Sequence, residues 1–167
     1  MFSTKSVFAG LFLVLSVLSA EAGQSGNQGF PLHPDSSVTP GSLCQRPTAR
    51  RYPEGINYCD RDVMTDTKKA VISVYEHQLG FTIMANGRQN FKIDHYIPLC
   101  AGGSNEPSNL WPQHKSVYEQ TDPLEPLVCE KMASGSLHQS DAVELVKRAK
   151  NDFSQIPAVM KYLNSLR

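Results

Sequence analysis

Four cysteines, Cys44, Cys59, Cys100 and Cys129, constrain this 167-residue chain more than any other feature. No C-x-x-C occurs and the spacings are wide and uneven, which argues against a zinc site built from all four thiolates. The chain also opens with an export signature. Lys5 supplies the positive start, an uncharged apolar run extends from Val7 to Leu18, and Ala20-Glu21-Ala22 has the A-x-A form of a cleavage site. An even cysteine count in an exported chain points to disulfides. Three pairings are open to four cysteines, and the sequence alone does not choose among them. Cys44–Cys59 with Cys100–Cys129 is favoured because it joins sequence neighbours and puts one bridge in each half.

The apolar run is shorter than the roughly 20 residues that cross a bilayer. Residues 1–22 are therefore read as a signal peptide cleaved near Ala22, with a secreted or periplasmic destination and no membrane attachment of the mature form. Residues 23–41 are rich in Gly, Pro, Ser and Asn and poor in large apolar side chains, so they read as a flexible leader. Residues 42–167 then form a single domain, long enough for a real core. Formal net charge is zero, and losing Lys5 and Glu21 with the signal leaves it at zero. A protein that holds nucleic acid by bulk electrostatics is usually basic. The composition thus disfavours a tight nucleic-acid binder but leaves room for an enzyme with a local positive patch or a bound cation.

The pattern is α+β. Residues 42–63 are irregular and carry Arg46, Arg50, Arg51 and Arg61, either a solvated surface or a phosphate-facing patch. A helix is predicted from Asp66 to Leu79, capped by Thr65 or Asp66, with an apolar stripe of Ala70, Val71, Val74, Tyr75 and Leu79 and a stop at Gly80. "FTIM" and "NFKID" around Asn86-Gly87 predict a β-hairpin. Its second strand would carry Phe91, Ile93 and His95 on one face, Lys92 and Asp94 on the other. A helix follows Asp122-Pro123, with Leu124, Leu127, Val128 and Met132 inward. Another starts near Ser140, with Ala142, Leu145, Val146, Ala149 and Phe153 inward and Lys147, Arg148 and Lys150 outward; a short one spans Ala158 to Leu166.

Chemistry concentrates in "FKIDHYIPLCAGGSNEPSNLWPQHK", Phe91 to Lys115. Asp94 and His95 end a strand, Gly102-Gly103 permits a sharp reversal, and Asn105 and Asn109 can tie a loop to its own backbone. Leu110-Trp111-Pro112 then leads into a predicted helical turn carrying His114. Each element alone is ordinary loop chemistry, and Trp111 is first of all a core residue; their order and spacing carry the weight. Carboxylate oxygen suits a hard divalent cation, and a histidine with pKa near 6.5 suits deprotonation of water near neutral pH. Asp94 and His95 point to opposite sides of a strand, so one can hold a metal while the other meets the water.

This stretch resembles the HNH (ββα-metal) endonucleases, whose motif reads D-H-x-x-P-L-x-x-G-G, N, then N-L and a ligand on the following helix. Asp94, His95, Pro98, Leu99, Gly102, Gly103, Asn105, Asn109 and Leu110 match it, and the downstream Asp122-Pro123-Leu124-Glu125 resembles an exported bacterial branch. The resemblance implies a ββα-metal core with a β-hairpin and flanking helices, here disulfide-stabilised. It implies that His95 is the general base, Asp94 the first metal ligand and Asn109 the brace that orients the His95 ring. The last ligand is expected near Tyr118, a poor choice; His114 is favoured over Glu119. The family's C-x-x-C-H zinc knuckle is absent, and a disulfide at Cys100 could supply its rigidity.

The implied activity is metal-dependent hydrolysis of DNA, with RNA a further substrate class, by a monomer using Mg²⁺ (or Mn²⁺, Ni²⁺ or Zn²⁺). Sequence specificity is expected to be low, because no recognition helix or zinc-finger module is present. The competing expectation is a catalytically inactive secreted module that keeps the HNH fold for binding or structure, favoured by the neutral charge and the weak last ligand. A toxin-like effector with an immunity or inhibitor partner is a third class, and no surface for such a partner can be read.

Overall fold

The computed structural model describes residues 29–167; the expected signal peptide and the start of the expected leader lie outside the described residues. Both favoured disulfides are formed, Cys44–Cys59 and Cys100–Cys129, closing separations of 15 and 29 residues. Constraining the unfolded chain over such loops contributes about 3 kcal/mol each. No helix among the described residues is long and apolar enough to cross a membrane.

The architecture is α+β with two separate two-stranded antiparallel sheets. β1 (Ala49–Arg51) pairs with β2 (Ile56–Tyr58) around a turn closed by Gly55 N–H donating to Tyr52 O at 2.9 Å. The first disulfide staples this hairpin to Cys44, whose N–H in turn donates to Gly102 O at 2.8 Å. α1 (Thr65–His77) starts one residue earlier and ends two sooner than expected, and buries Val71, Ile72 and Tyr75. Ile72 takes the inward place expected of Ala70, which is exposed.

The second sheet corrects the predicted hairpin. β3 (Phe91–His95) does not pair with Phe81–Met84, which forms no strand and enters a turn at Ile83; it pairs with β4 (Leu110–His114) across a long loop. Asn86-Gly87 closes a tight turn with Thr82 and Met84 instead of a hairpin. "FTIM" offers only a short partner, whereas β4 brings Leu110 and Trp111, both fully buried. Pro112 is tolerated because each strand of a two-stranded sheet has one unpaired side, where a missing N–H costs no ladder bond. His114 accordingly ends a strand rather than riding on a helical turn, and its ring accepts from Ser116 N–H to cap α2 (Lys115–Thr121).

α3 (Leu124–Ala133), α4 (Gln139–Asn151) and α5 (Ile156–Ser165) follow close to their expected places. Two apolar clusters result. One joins α1, β3, β4 and Val117; the other joins α3, α4 and α5 to Ile97 and Ala101 of the 96–109 loop. The expected flexible leader is packed from residue 29 onward, since Phe30, Leu32 and Val38 cover the first cluster. Thr39 is buried and its hydroxyl bonds the Tyr75 hydroxyl at 2.9 Å and Leu110 O at 3.0 Å. A few well-placed apolar residues sufficed to order a segment whose composition looked too polar. Lys150 departs most from expectation: read as outward, it is 0% exposed.

Candidate functional site

Asp94 and His95 end β3 where the two apolar clusters meet, and both are buried, 8% and 3% exposed. The loop after them is fixed by Asn109. Its side chain accepts from Ile97 N–H at 2.9 Å and donates to Ile97 O at 3.0 Å and Ser104 O at 2.9 Å. Gly103 is required by close approach, because a Cβ there would overlap the Ile97 carbonyl and the Asn109 amide. The second disulfide ties the same loop, through Cys100, to α3. Asn109 thus braces the backbone that carries His95 and does not touch its ring.

The ring itself is held by two other residues. Arg61 Nη1 lies 3.2 Å from His95 Nδ1, and Arg61 Nη2 donates to Ile93 O at 3.1 Å. Arginine can only donate, so Nδ1 is the lone-pair nitrogen and Nε2 carries the hydrogen. Nε2 donates to Asn105 Oδ1 at 3.1 Å, while the Asn105 amide N donates to Asp60 O at 2.8 Å, which fixes the orientation of the Asn105 side chain. Burial pushes the imidazole down to a pKa of about 4; the bond to Asn105 opposes this and the Arg61 charge adds to it. At neutral pH the ring is an uncharged base with its lone pair on Nδ1.

Around it lies a compact charge network. Lys150 Nζ, from α4, donates to His95 O at 2.7 Å and to Glu125 Oε1 at 2.7 Å, and stands 3.7 Å from Asp94 Oδ2. Lys92 is 3.5 Å from the same Asp94 oxygen and 2.6 Å from Asp122. Burial opposes ionisation of Asp94, but the Lys150 and Lys92 charges outweigh it and hold the carboxyl below its usual range. Burial raises Glu125, and the Asp94 charge adds to that against the opposing pull of Lys150. A cleft of about 240 Å³ opens on Asp94, His95, Glu125, Arg61, Arg51 and Tyr58, with the Arg51 guanidinium 3.3 Å above the Tyr58 ring.

His114 is not part of this site. Residues paired across antiparallel strands share a face, and β3 pairs Phe91 with His114 but Asp94 with Trp111. Phe91 and Asp94 are three positions apart, hence on opposite faces. His114 instead stacks on Phe30, ring centres 4.0 Å apart, and packs against Phe91. The rival candidates also lie elsewhere: Glu119 is exposed and 3.7 Å from Lys115, and Tyr118 lies under the Lys92 ammonium. Among the described residues no cluster of three or more His, Cys, Asp and Glu side chains offers itself to a metal. Asp94 and Glu125 are the oxygen donors that share one cleft, and Asp94 Oδ2 is buried without a hydrogen-bond partner, but the Lys150 ammonium stands between them, so a hard cation would have to displace it. No protein-family model, curated protein or solved structure matches the chain.

Three members of the site were not singled out from the sequence. Arg61 stood among four arginines with no sign of which faced inward. Glu125 was noticed only within a motif. Lys150 had a signal: it continues the buried Ala142 and Val146 positions at i+4 spacing, so it is a lysine on an apolar stripe.

Proposed function

We propose that the mature protein is an exported, disulfide-bonded endonuclease of the HNH type that hydrolyses phosphodiester bonds of DNA, and of RNA, with low sequence specificity. The observation that carries this reading is the uncharged His95, its lone pair on Nδ1, in a cleft shared with two arginines and two carboxylates. His95 Nδ1 takes a proton from water as the oxygen attacks phosphorus, and the bond to the 3′-oxygen breaks. The imidazolium that forms is stabilised by Nε2–H donating to Asn105, whose own amide is held by Asp60 O. Arg51 and Arg61 supply positive charge to the phosphate in a protein with no net charge. Asn109 acts as a positioning residue through the Ile97–Ser104 backbone. A divalent cation, Mg²⁺ by the hardness of the donors, would be held by Asp94 and Glu125 in place of the Lys150 ammonium, and would supply neutralisation of charge on the phosphoryl and leaving oxygens.

The test is plasmid nicking by the mature protein with Mg²⁺, with and without EDTA, beside His95→Ala. EDTA-sensitive cleavage that the variant lacks is expected; equal cleavage by parent and variant, or none by either, overturns the reading. A second reading, an inactive module that keeps the fold for binding, is favoured by the Lys150 ammonium standing between Asp94 and Glu125. It is separated from the first by calorimetry with Mn²⁺: the inactive module binds none.

A further inference from the structure

Arg61 is the residue of the cleft whose contacts are least explained by stability. It bonds two uncharged acceptors, Ile93 O and His95 Nδ1, and among the described residues no carboxylate lies within ion-pairing distance of it. Its residue is otherwise exposed, so guanidinium donors remain free toward solvent at the cleft mouth. Its bond to Nδ1 also occupies the lone pair that a base must use. An arginine that caps the base with a weak neutral contact, and keeps donors to spare, is matched to an anionic ligand that would draw it away.

We propose that Arg61 is a phosphate-binding switch: substrate phosphate takes over its Nη1–H donor, and His95 Nδ1 is thereby uncapped for water only when a phosphodiester is in the cleft. No covalent bond changes in this step; one hydrogen bond to nitrogen is exchanged for a charge-assisted one to a phosphoryl oxygen. The Ile93 O contact acts as the pivot, because Nη2 can keep it while Nη1 turns. The Cys44–Cys59 staple and the Asn105–Asp60 bond hold the 59–61 backbone beside His95, which limits the travel required. The inference rests on the proposed hydrolysis for its purpose but not for its geometry.

The experiment follows the His95 ring nitrogens by ¹⁵N NMR at fixed pH 7.5 in EDTA, with inorganic phosphate as the probe, in the parent and in Arg61→Gln. His95→Gln identifies the signals. Phosphate should move Nδ1 downfield in the parent as it loses its donor, whereas in Arg61→Gln the signal should already sit there and not respond. Cleavage kinetics with Mg²⁺ should show kcat/KM lower by about 10- to 100-fold in Arg61→Gln, much of it in KM, as expected for a lost charge-assisted bond. Arg61→Lys should recover part of that loss. An Nδ1 signal that phosphate leaves unmoved in the parent, or moves equally in Arg61→Gln, overturns the switch. If the parent cleaves nothing while phosphate still moves Nδ1, the nuclease reading fails and the switch stands as a phosphate-binding one. If the parent cleaves through His95 and Nδ1 does not respond, the switch fails alone.

Discussion

Replacing Lys150 by Met tests the buried charge network directly. The lysine is fully buried on α4, and its ammonium is shared by Glu125, Asp94 and the His95 carbonyl. Met keeps most of the volume and removes the charge, leaving the buried Asp94 carboxylate and the part-exposed Glu125 carboxylate with only Lys92 beside one of them. A carboxylate stranded in this way can escape by taking up a proton. For Glu125 at pH 7, starting from an ordinary value of about 4.3, that costs about 4 kcal/mol, which caps its share of the loss. Asp94 keeps Lys92 and adds less. The expected destabilisation is about 3–5 kcal/mol, the usual result of removing one partner of a buried pair. At about 2.1 cal/mol/K of unfolding entropy per residue, 4 kcal/mol over residues 29–167 lowers Tm by about 14 °C. Thermal and urea unfolding followed by circular dichroism, with disulfides intact and EDTA present, measure it. The loss should shrink as pH falls toward 3.5, because a carboxyl without its counter-ion takes up a proton more readily. A variant within about 1 kcal/mol of the parent at pH 7, or a loss unchanged at pH 3.5, refutes the assignment of Lys150 as their counter-ion.

Other outcomes follow from the same contacts. The folded chain holds His95 at a pKa of about 4 against an ordinary 6.5, so its contribution is complete above pH 6.5 and is lost as pH falls toward 4. That difference amounts to about 3 kcal/mol at 1.36 kcal/mol per pH unit, and the unfolding free energies of the parent and His95→Gln, from urea titrations at pH 7 and pH 4, should converge by that amount. Asn109→Ala leaves the Ile97 N–H and the Ile97 and Ser104 carbonyls unpaired in a buried site, and should cost about 3 kcal/mol in unfolding experiments and reduce cleavage through a loosened loop. Cys44→Ser with Cys59→Ser removes about 3 kcal/mol of loop constraint. It should also raise KM, because the hairpin carrying Arg51 and Tyr58 and the adjoining Arg61 lose their staple.

Much of the fold was legible because local signals agreed. Leu124, Val128 and Met132 repeat at helical spacing on α3, and Ala142, Val146 and Ala149 on α4, and the structure buries each of these. Disulfide partners close in sequence were a sound preference for a related reason, since short loops bring cysteines together at little entropic cost. Strand pairing was not legible. Asn-Gly is a strong local hairpin signal, but β3 is satisfied by a strand beyond a long loop, since pairing follows which partner buries more. The site was half visible. Asp94, His95 and Asn109 stand in one local motif, whereas Arg61, Glu125 and Lys150 come from three other segments and meet only through packing.

Taken alone, the sequence determined an α+β chain with an even set of cysteines suited to disulfides, helices where apolar residues recur at helical spacing, and an Asp-His step closing a strand before a Gly-Gly loop. Those are properties of neighbours along the chain, and neighbours set periodicity, turns and short loops. Tertiary structure decided which face each site residue occupies and what shares it. The β3–β4 register put His114 three positions along and on the far face from Asp94, a parity that one residue of slip would reverse. Packing of α4 against α3 drove a lysine into the interior, where the buried Asp94 and the part-buried Glu125 carboxylates compensate its charge. It also left the His95 lone pair facing an arginine from a distant segment, because the first disulfide anchors that segment beside the cleft.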